Sequence, residues 1–339
     1  MASSQNTAAH EGADPLRIVL LGKTGTGRSS SGNTILGTAT FLVGASPSSV
    51  TSQCQRETGM VGGRAVCVID TPGFFHTKLP PEEIMAEVGR CVIMSSPGPH
   101  AFLVTLQPSR FTQEEKDTLE GIKAMFGPGA AQFFLVLFTQ GDHLQGKSIE
   151  DFLAESPGLS EFVNSCHGGY QLFDNYGQDK STERLQVAQL LKKIDKMVAD
   201  NKGDYYSNEM FKEAEKTIKQ VQDRILGEHF TIQDEREDRK DQGTNGETRK
   251  TKEEEEEARK RAERLFWCEL ASALGRGAAE GAGLVGKDKG KAVKKVKVME
   301  KAAALAASPL SIRSAARVVE GAVREGSKVL YKHRKTLLH

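Results

Sequence analysis

The sequence predicts an α/β fold with a mostly parallel central sheet, followed by a C-terminal helical extension and a charged tail. Three observations carry that expectation. Short apolar runs alternate with helical stretches over residues 16–198. A glycine-rich turn joins the first run to the first helix. Past residue 200 the apolar runs stop and blocks of charge of both signs take over. Strands covered on both faces read as unbroken apolar runs, and strands alternating with helices are the pattern of a parallel sheet.

In chain order, residues 1–14 are small and polar and are expected to form a disordered leader. "LRIVLL" (16–21), "RAVCVID" (64–70), "HAFLVTL" (100–106) and "QFFLVLF" (132–138) read as buried strands, and "YQLFDN" (170–175) as a shorter last one. A helix is expected from Arg28 to Gly37. Thr112 and Glu115 have the spacing of a capping box opening the helix "QEEKDTLEGIKAMF". Leu185, Ala188, Leu191 and Ile194 suggest an apolar stripe on a helix over 181–199.

Residues 207–229 are expected to be an amphipathic helix, with Met210, Ala214, Ile218, Val221 and Ile225 on one side. The domain reading is thus an α/β domain over 15–206 and a helical extension over 207–232 packing on it. A charged helix or linker follows over 233–267, broken near Gly243–Gly246, and then a basic Ala/Lys-rich tail over 268–339. Trp267 with Phe266 reads as a packing anchor.

Composition excludes several classes. With 38% hydrophobic and 27% charged residues the chain is that of a globular protein with extra solvated length. The five cysteines fall at no metal-ligand spacing, which fits free thiols in a reducing compartment. The N-terminus lacks the basic start and apolar core of a secretion signal, and no apolar run is long enough to span a bilayer. The expected location is cytoplasmic. Residues 287–339 hold 14 lysines and arginines against 4 acidic residues, so peripheral contact with an intracellular membrane surface stays open beside a merely solvated tail. No nucleic-acid partner is expected.

The chemistry concentrates at "LLGKTGTGRSSSGNTILG" (20–37), which has the Gly-x-x-x-x-Gly spacing of a phosphate-cradling loop followed by a basic residue and a serine. Gly22 and Gly27 let the backbone turn so that N–H groups along Gly22, Lys23, Thr24, Gly25, Thr26, Gly27, Arg28, Ser29 and Ser30 can face an anion, aided by the helix N-terminus. Ser29 supplies the hydroxyl that ligates Mg²⁺ in such loops. Arg28 stands where a lysine is usual; it keeps the charge with a bulkier planar fork. Asp70, at the end of the strand in "VIDTPG", can reach Mg²⁺ through water, and Gly73 can donate its N–H to a γ-phosphate. Thr51 is the candidate switch ligand of phosphate and metal, or an ordinary strand threonine. In "LVLFTQGDHL" (135–144), Asp142 sits where a carboxylate can accept from guanine N1 and the 2-amino group, which adenine does not offer. Asn175 is placed to cover the base from the other side.

"GKTGTGRSSSGNTILG", "DTPGFF" and "SSPGPHAFLVTLQPSRFTQEEKDTLEGIKAMFG" (95–127) resemble the AIG1-type GTPases, the GTPases of immunity-associated proteins (GIMAPs), over about residues 15–225. The resemblance implies a Ras-like P-loop G domain with further C-terminal helices, binding of GTP or GDP with Mg²⁺, and homodimers or oligomers through the G domain. It also implies that Arg110, in the box "QPSRFT", can be presented in trans to a neighbouring nucleotide. The other reading of Arg110 is a surface residue before a helix cap. The family's C-terminal hydrophobic segments have no counterpart here.

Phe74 and Phe75 follow Gly73 where Ras-like enzymes carry the glutamine that orients water, and Gln107 and His76 are secondary candidates to help hydrolysis. The expected function is a GTP-dependent dimerising switch or scaffold with weak or dimer-activated hydrolysis. A slow GTPase with Arg110 acting in trans, and a nucleotide-free protein-interaction module, stay open beside it. A small-molecule kinase is disfavoured by Asp142.

Overall fold

In a computed structural model, the described residues are 14–44, 51–73, 81–108, 111–144, 146–175, 179–237, 252–273 and 314–325. The strands are β1 (Leu16–Gly22), β2 (Gln55–Val61), β3 (Arg64–Asp70), β4 (Ala101–Leu106), β5 (Phe134–Thr139) and β6 (Tyr170–Phe173). The helices are α1 (Arg28–Leu36), α2 (Pro81–Met94), α3 (Gln113–Phe126), α4 (Ile149–Ala154), α5 (Pro157–Ser165), α6 (Lys180–Asp200), α7 (Glu209–Glu237) and α8 (Lys252–Ala273). Residues 314–325 add a further helical stretch. Two compact units result, one drawn from Met1–Leu79, Gly98–Ser207 and Ala322–His339, the other from Pro80–Pro97 and Asn208–Gly321.

The first unit is a six-stranded sheet in the order β2-β3-β1-β4-β5-β6. Every neighbouring pair is parallel except the edge pair β2–β3. β1, β4 and β5 are buried along their whole length, which is why they read as unbroken apolar runs. On one face Ile18, Leu20, Leu103 and Leu135 pack with Ile35 and Leu36 of α1 and with Val187, Leu190 and Ile194 of α6. On the other, the Phe102 ring lies 4.8 Å from Phe126 of α3 and 5.4 Å from Phe134. Thr112 and Glu115 close the expected capping box on α3.

Three details depart from the sequence reading. The buried stripe of α6 is Val187, Leu190, Leu191, Ile194 and Met197, whereas Leu185 is 59% exposed and Ala188 is exposed. Helical period places Leu185 on the far side from Val187. The fourth apolar run starts later than expected, at Phe134, because Pro128–Phe133 forms a 3₁₀ turn after Gly127. The last strand stops at Phe173, since the Asp174 N–H donates to the Gln186 side chain (2.9 Å) instead of to a ladder partner.

In the second unit α7 buries Met210, Ala214, Ile218, Val221 and Ile225, the expected stripe. Asn208 caps its first turn by accepting from the Phe211 N–H (3.3 Å). α8 buries Ala258, Ala262, Phe266, Trp267 and Leu270. The Arg90 guanidinium of α2 stacks 4.6 Å from the Trp267 ring centroid, and a Cβ on Gly89 would come within 2.9 Å of Leu270. Glu215 accepts from Arg259 (2.7 Å) and from the Ser96 hydroxyl (2.6 Å). The Gly243–Gly246 break lies outside the described residues.

Candidate functional site

The candidate residues gather at the carboxyl ends of the parallel strands, where open α/β sheets keep their ligand crevices. The β1–α1 turn carries Gly22 to Ser29, β3 ends on Asp70, β5 ends on Thr139, and Asn175 follows β6. Thr51 precedes β2 and lies outside any strand.

Gly22 and Gly27 each need to be glycine, for different reasons. A Cβ on Gly22 would lie 2.3 Å from Thr105 Oγ1, so the loop approaches β4 too closely for any side chain. Gly27, the N-cap of α1, has φ 83°, a left-handed conformation. No side chain caps α1, which leaves its first-turn N–H groups facing the loop. Thr26 is stapled from two sides. Its hydroxyl lies 2.6 Å from Thr105 Oγ1 and donates to the Lys23 carbonyl (2.8 Å), while Thr139 Oγ1 donates to the Thr26 carbonyl (2.8 Å). Gln107 Nε2 donates to the Gly25 carbonyl (2.8 Å). Thr105 and Gln107 are supports that sequence reasoning missed, Gln107 having been read only as a secondary candidate to help hydrolysis. Their one signal is a polar side chain at the carboxyl end of an apolar run.

Arg28 is 5% exposed and turns its guanidinium back onto the Gly22 carbonyl. Burial lowers its proton affinity and the Asp70 charge opposes that; an arginine stays charged through such shifts. The Ser29 hydroxyl donates to Asp70 Oδ2 (2.6 Å), as does Thr51 Oγ1 (3.1 Å), and the two hydroxyls lie 3.0 Å apart. Burial raises the Asp70 carboxyl above the usual carboxylate range, with Arg28 and the Ser29 and Thr51 bonds pulling it back. Its second oxygen, Oδ1, is buried with no hydrogen-bond partner among the described residues. Two hydroxyls and a carboxylate with a spare oxygen form a hard-oxygen set of the kind Mg²⁺ takes.

Gly73 sits against the loop, since a Cβ there would be 2.7 Å from Thr24 Oγ1 and 3.7 Å from Arg28 Nη1. Asn175 is engaged with α1, donating to Ser31 Oγ (3.1 Å) and accepting from Thr34 Oγ1 (2.9 Å). A cavity of about 320 Å³ opens beside it, lined by Ser30, Asn33, Thr34, Val43 and Asn175 among others. Asp142 falls in the 3₁₀ turn Gly141–Leu144, and its side chain lies outside the described residues, as do Phe74, Phe75, His76 and Arg110.

Residues 16–225 match the AIG1 family. The chain belongs to the AIG1 family. It is similar to GTPase IMAP family member 8 of Homo sapiens, 35% identical over 193 residues, which cover 57% of this chain and 29% of that protein. It is similar also to Immune-associated nucleotide-binding protein 9 of Arabidopsis thaliana, 34% identical over 212 residues, 61% of this chain and 62% of that one. The chain thus spans less than two thirds of the length of either relative. Among solved structures it is similar to Toc33 from Arabidopsis thaliana in complex with GDP and Mg²⁺, with 18% identity, a TM-score of 0.43, and 56% and 86% of the two chains covered. α8 lies beyond the stretch that matches the family. Among the described residues no helix is long and apolar enough to cross a membrane.

Proposed function

We propose that the protein is a guanine-nucleotide-binding switch whose bound nucleotide gates self-association through the sheet-bearing unit, with slow hydrolysis that depends on the partner copy. The observation that supports it most is the convergence of Ser29, Thr51 and Asp70 at the head of a phosphate loop, with one buried Asp70 oxygen left without a partner. The names of the relatives, a GTPase and a nucleotide-binding protein, point the same way.

In this reading the loop N–H groups from Lys23 to Ser29 and the α1 N-terminus hold the phosphates. Ser29, Thr51 and Asp70 would hold Mg²⁺, which when bound neutralises phosphate charge. Asp142 selects guanine, and Asn175 borders the base. The Arg28 fork, spent partly on the Gly22 carbonyl, grips phosphate less firmly than a lysine, so binding persists and turnover suffers more. With Phe74 and Phe75 after Gly73, a charge for the transition state has to arrive from Arg110 of a second copy. The basic tail supplies a peripheral contact with anionic membrane surfaces.

The test is a titration with a fluorescent GTP analogue and Mg²⁺, competed by GTP, GDP and ATP, on the wild type and on Arg28→Lys. Micromolar or tighter, guanine-selective binding by the wild type upholds the reading. Binding by Arg28→Lys alone would make the natural chain a nucleotide-free relative acting through its surfaces. Specific hydrolysis activity that rises with protein concentration upholds the partner-dependent step.

A further inference from the structure

Thr24 carries a hydroxyl that the loop does not use. Its Oγ1 is buried and has no hydrogen-bond partner among the described residues. The other loop hydroxyls are committed, Thr26 to Lys23 and Thr105, and Ser29 to Asp70. A buried hydroxyl without a partner is costly, and in folded proteins such a group commonly waits for a ligand or an ordered water.

Its position says which ligand atom it waits for. Thr24 faces Gly73, where a Cβ would stand 2.7 Å from Thr24 Oγ1, 3.2 Å from the Thr24 nitrogen and 3.7 Å from Arg28 Nη1. Thr24, Gly73 and Arg28 therefore converge on one spot, reached from the loop, from the end of β3 and from α1. The orphan oxygen of Asp70 lies three residues before Gly73 in the same strand end. A phosphate held by the loop N–H groups, with a cation on Ser29, Thr51 and Asp70, would bring its negative oxygens within reach of donors gathered at the loop.

We propose that the Thr24 hydroxyl is a specificity-determining group that distinguishes a nucleoside triphosphate from a diphosphate, by donating a hydrogen bond to an oxygen of the terminal phosphate. The inference rests on the guanine-nucleotide reading of the site. It gives that site a triphosphate sensor on a side chain of the loop itself, beside the backbone N–H of Gly73.

The experiment measures the affinities of GDP and of a non-hydrolysable GTP analogue, each with Mg²⁺, by competition against a fluorescent guanine nucleotide. The proteins are full-length wild type, Thr24→Val, Thr24→Ala and Thr24→Ser. The quantity read is the ratio of triphosphate to diphosphate affinity within each protein. A lost hydrogen bond to a charged group lowers that ratio about tenfold in Thr24→Val and Thr24→Ala. Thr24→Ser, which keeps the hydroxyl, brings it back to within about threefold of wild type. A ratio unchanged in both hydroxyl-free variants overturns the inference and leaves the function reading standing. A ratio that Thr24→Ser fails to restore overturns it too, because the hydroxyl is then not the cause. A wild type that binds neither nucleotide overturns the function reading and this inference with it. Thr24→Ala carries the same expectation should Thr24→Val not fold.

Discussion

Replacing Arg28 with methionine tests whether the charge beneath the phosphate loop is held by Asp70. Methionine fills the volume of the arginine stem but removes the guanidinium, so two things are lost at once. The Gly22 carbonyl loses its donor, and the Asp70 carboxyl, 1% exposed, loses the opposite charge that favours its ionised form. The two charges attract across the site but make no direct ion pair, so the cost falls below the about 3–5 kcal/mol of breaking a buried salt bridge. Asp70 also keeps its bonds from Ser29 and Thr51, at 2.6 and 3.1 Å, so about 2 kcal/mol is expected. For a unit of this size that is a fall of roughly 4–8 °C in Tm. Asp70→Asn in the Arg28→Met background removes the stranded charge and should return about 1–2 kcal/mol relative to the sum of the single changes. Urea unfolding of the four proteins of the cycle, followed by far-UV circular dichroism, measures both numbers. An Arg28→Met cost below about 1 kcal/mol, or a double variant no better than additive, refutes the coupling of these two charges.

Other expectations are simpler. Gly22→Ala drives a Cβ to 2.3 Å from Thr105 Oγ1 and 2.8 Å from its carbonyl oxygen, so thermal unfolding should show a loss of about 3 kcal/mol or more. His100 accepts the Arg17 N–H on Nδ1 (2.9 Å), and burial, with the Arg17 charge second, lowers its pKa to about 4. Between pH 6.5 and 4 the unfolded chain therefore binds a proton that the folded chain refuses, so stability falls as pH drops through that window. The loss from pH 7 to 5 should be about 1 kcal/mol after allowing for partial exposure, and urea unfolding of His100→Gln should lack it. Asp70→Asn should abolish the Mg²⁺ dependence of GDP affinity, read by repeating the competition titration with and without the cation. Arg259→Met leaves Glu215, which Arg259, the Ser96 hydroxyl and Lys219 hold below its ordinary range against the effect of burial, with Ser96 and the more exposed Lys219 (3.6 Å) alone, and should cost about 1 kcal/mol in the helical unit.

What the chain discloses in advance follows from how its elements are buried. β1, β4 and β5 are covered on both faces, so nothing polar interrupts them and they are legible as runs. β2, "QRETGMV", pairs only with β3 at the sheet edge, and its exposed Gln55 and Met60 and central Gly59 leave no run or clean alternation to read. α2, α4 and α5 went unread for a related reason, each being short or adjoining turn-rich sequence. On α6 the expected stripe held Leu191 and Ile194 but took Leu185 in place of Val187, because several hydrophobic residues compete for one face and only packing against the sheet chooses among them.

At the site, Gly22, Thr24, Arg28, Ser29, Asp70 and Gly73 come together where their motifs put them, since each stands at a strand end or a turn that fixes its place. Thr105 and Gln107 carry no motif, and their support of Thr26 and Gly25 arises only once β4 lies beside β1. In α8, Ala258, Ala262, Phe266 and Leu270 recur every fourth residue inside a stretch dominated by charge, and composition hides that face.

Trp267 is the single tryptophan of the chain, buried on α8 and stacked against Arg90. The protein therefore carries one intrinsic optical probe, and that probe sits in the helical unit, outside the stretch matched to the family. Emission excited at the indole band follows the melting of that unit alone, while circular dichroism follows both. Two traces that part company would separate the stability of the helices from that of the sheet without any label. A shift of the emission maximum when GDP is added would register, in the light from one ring, that occupation of the loop is felt at α8, beyond the stretch matched to the family.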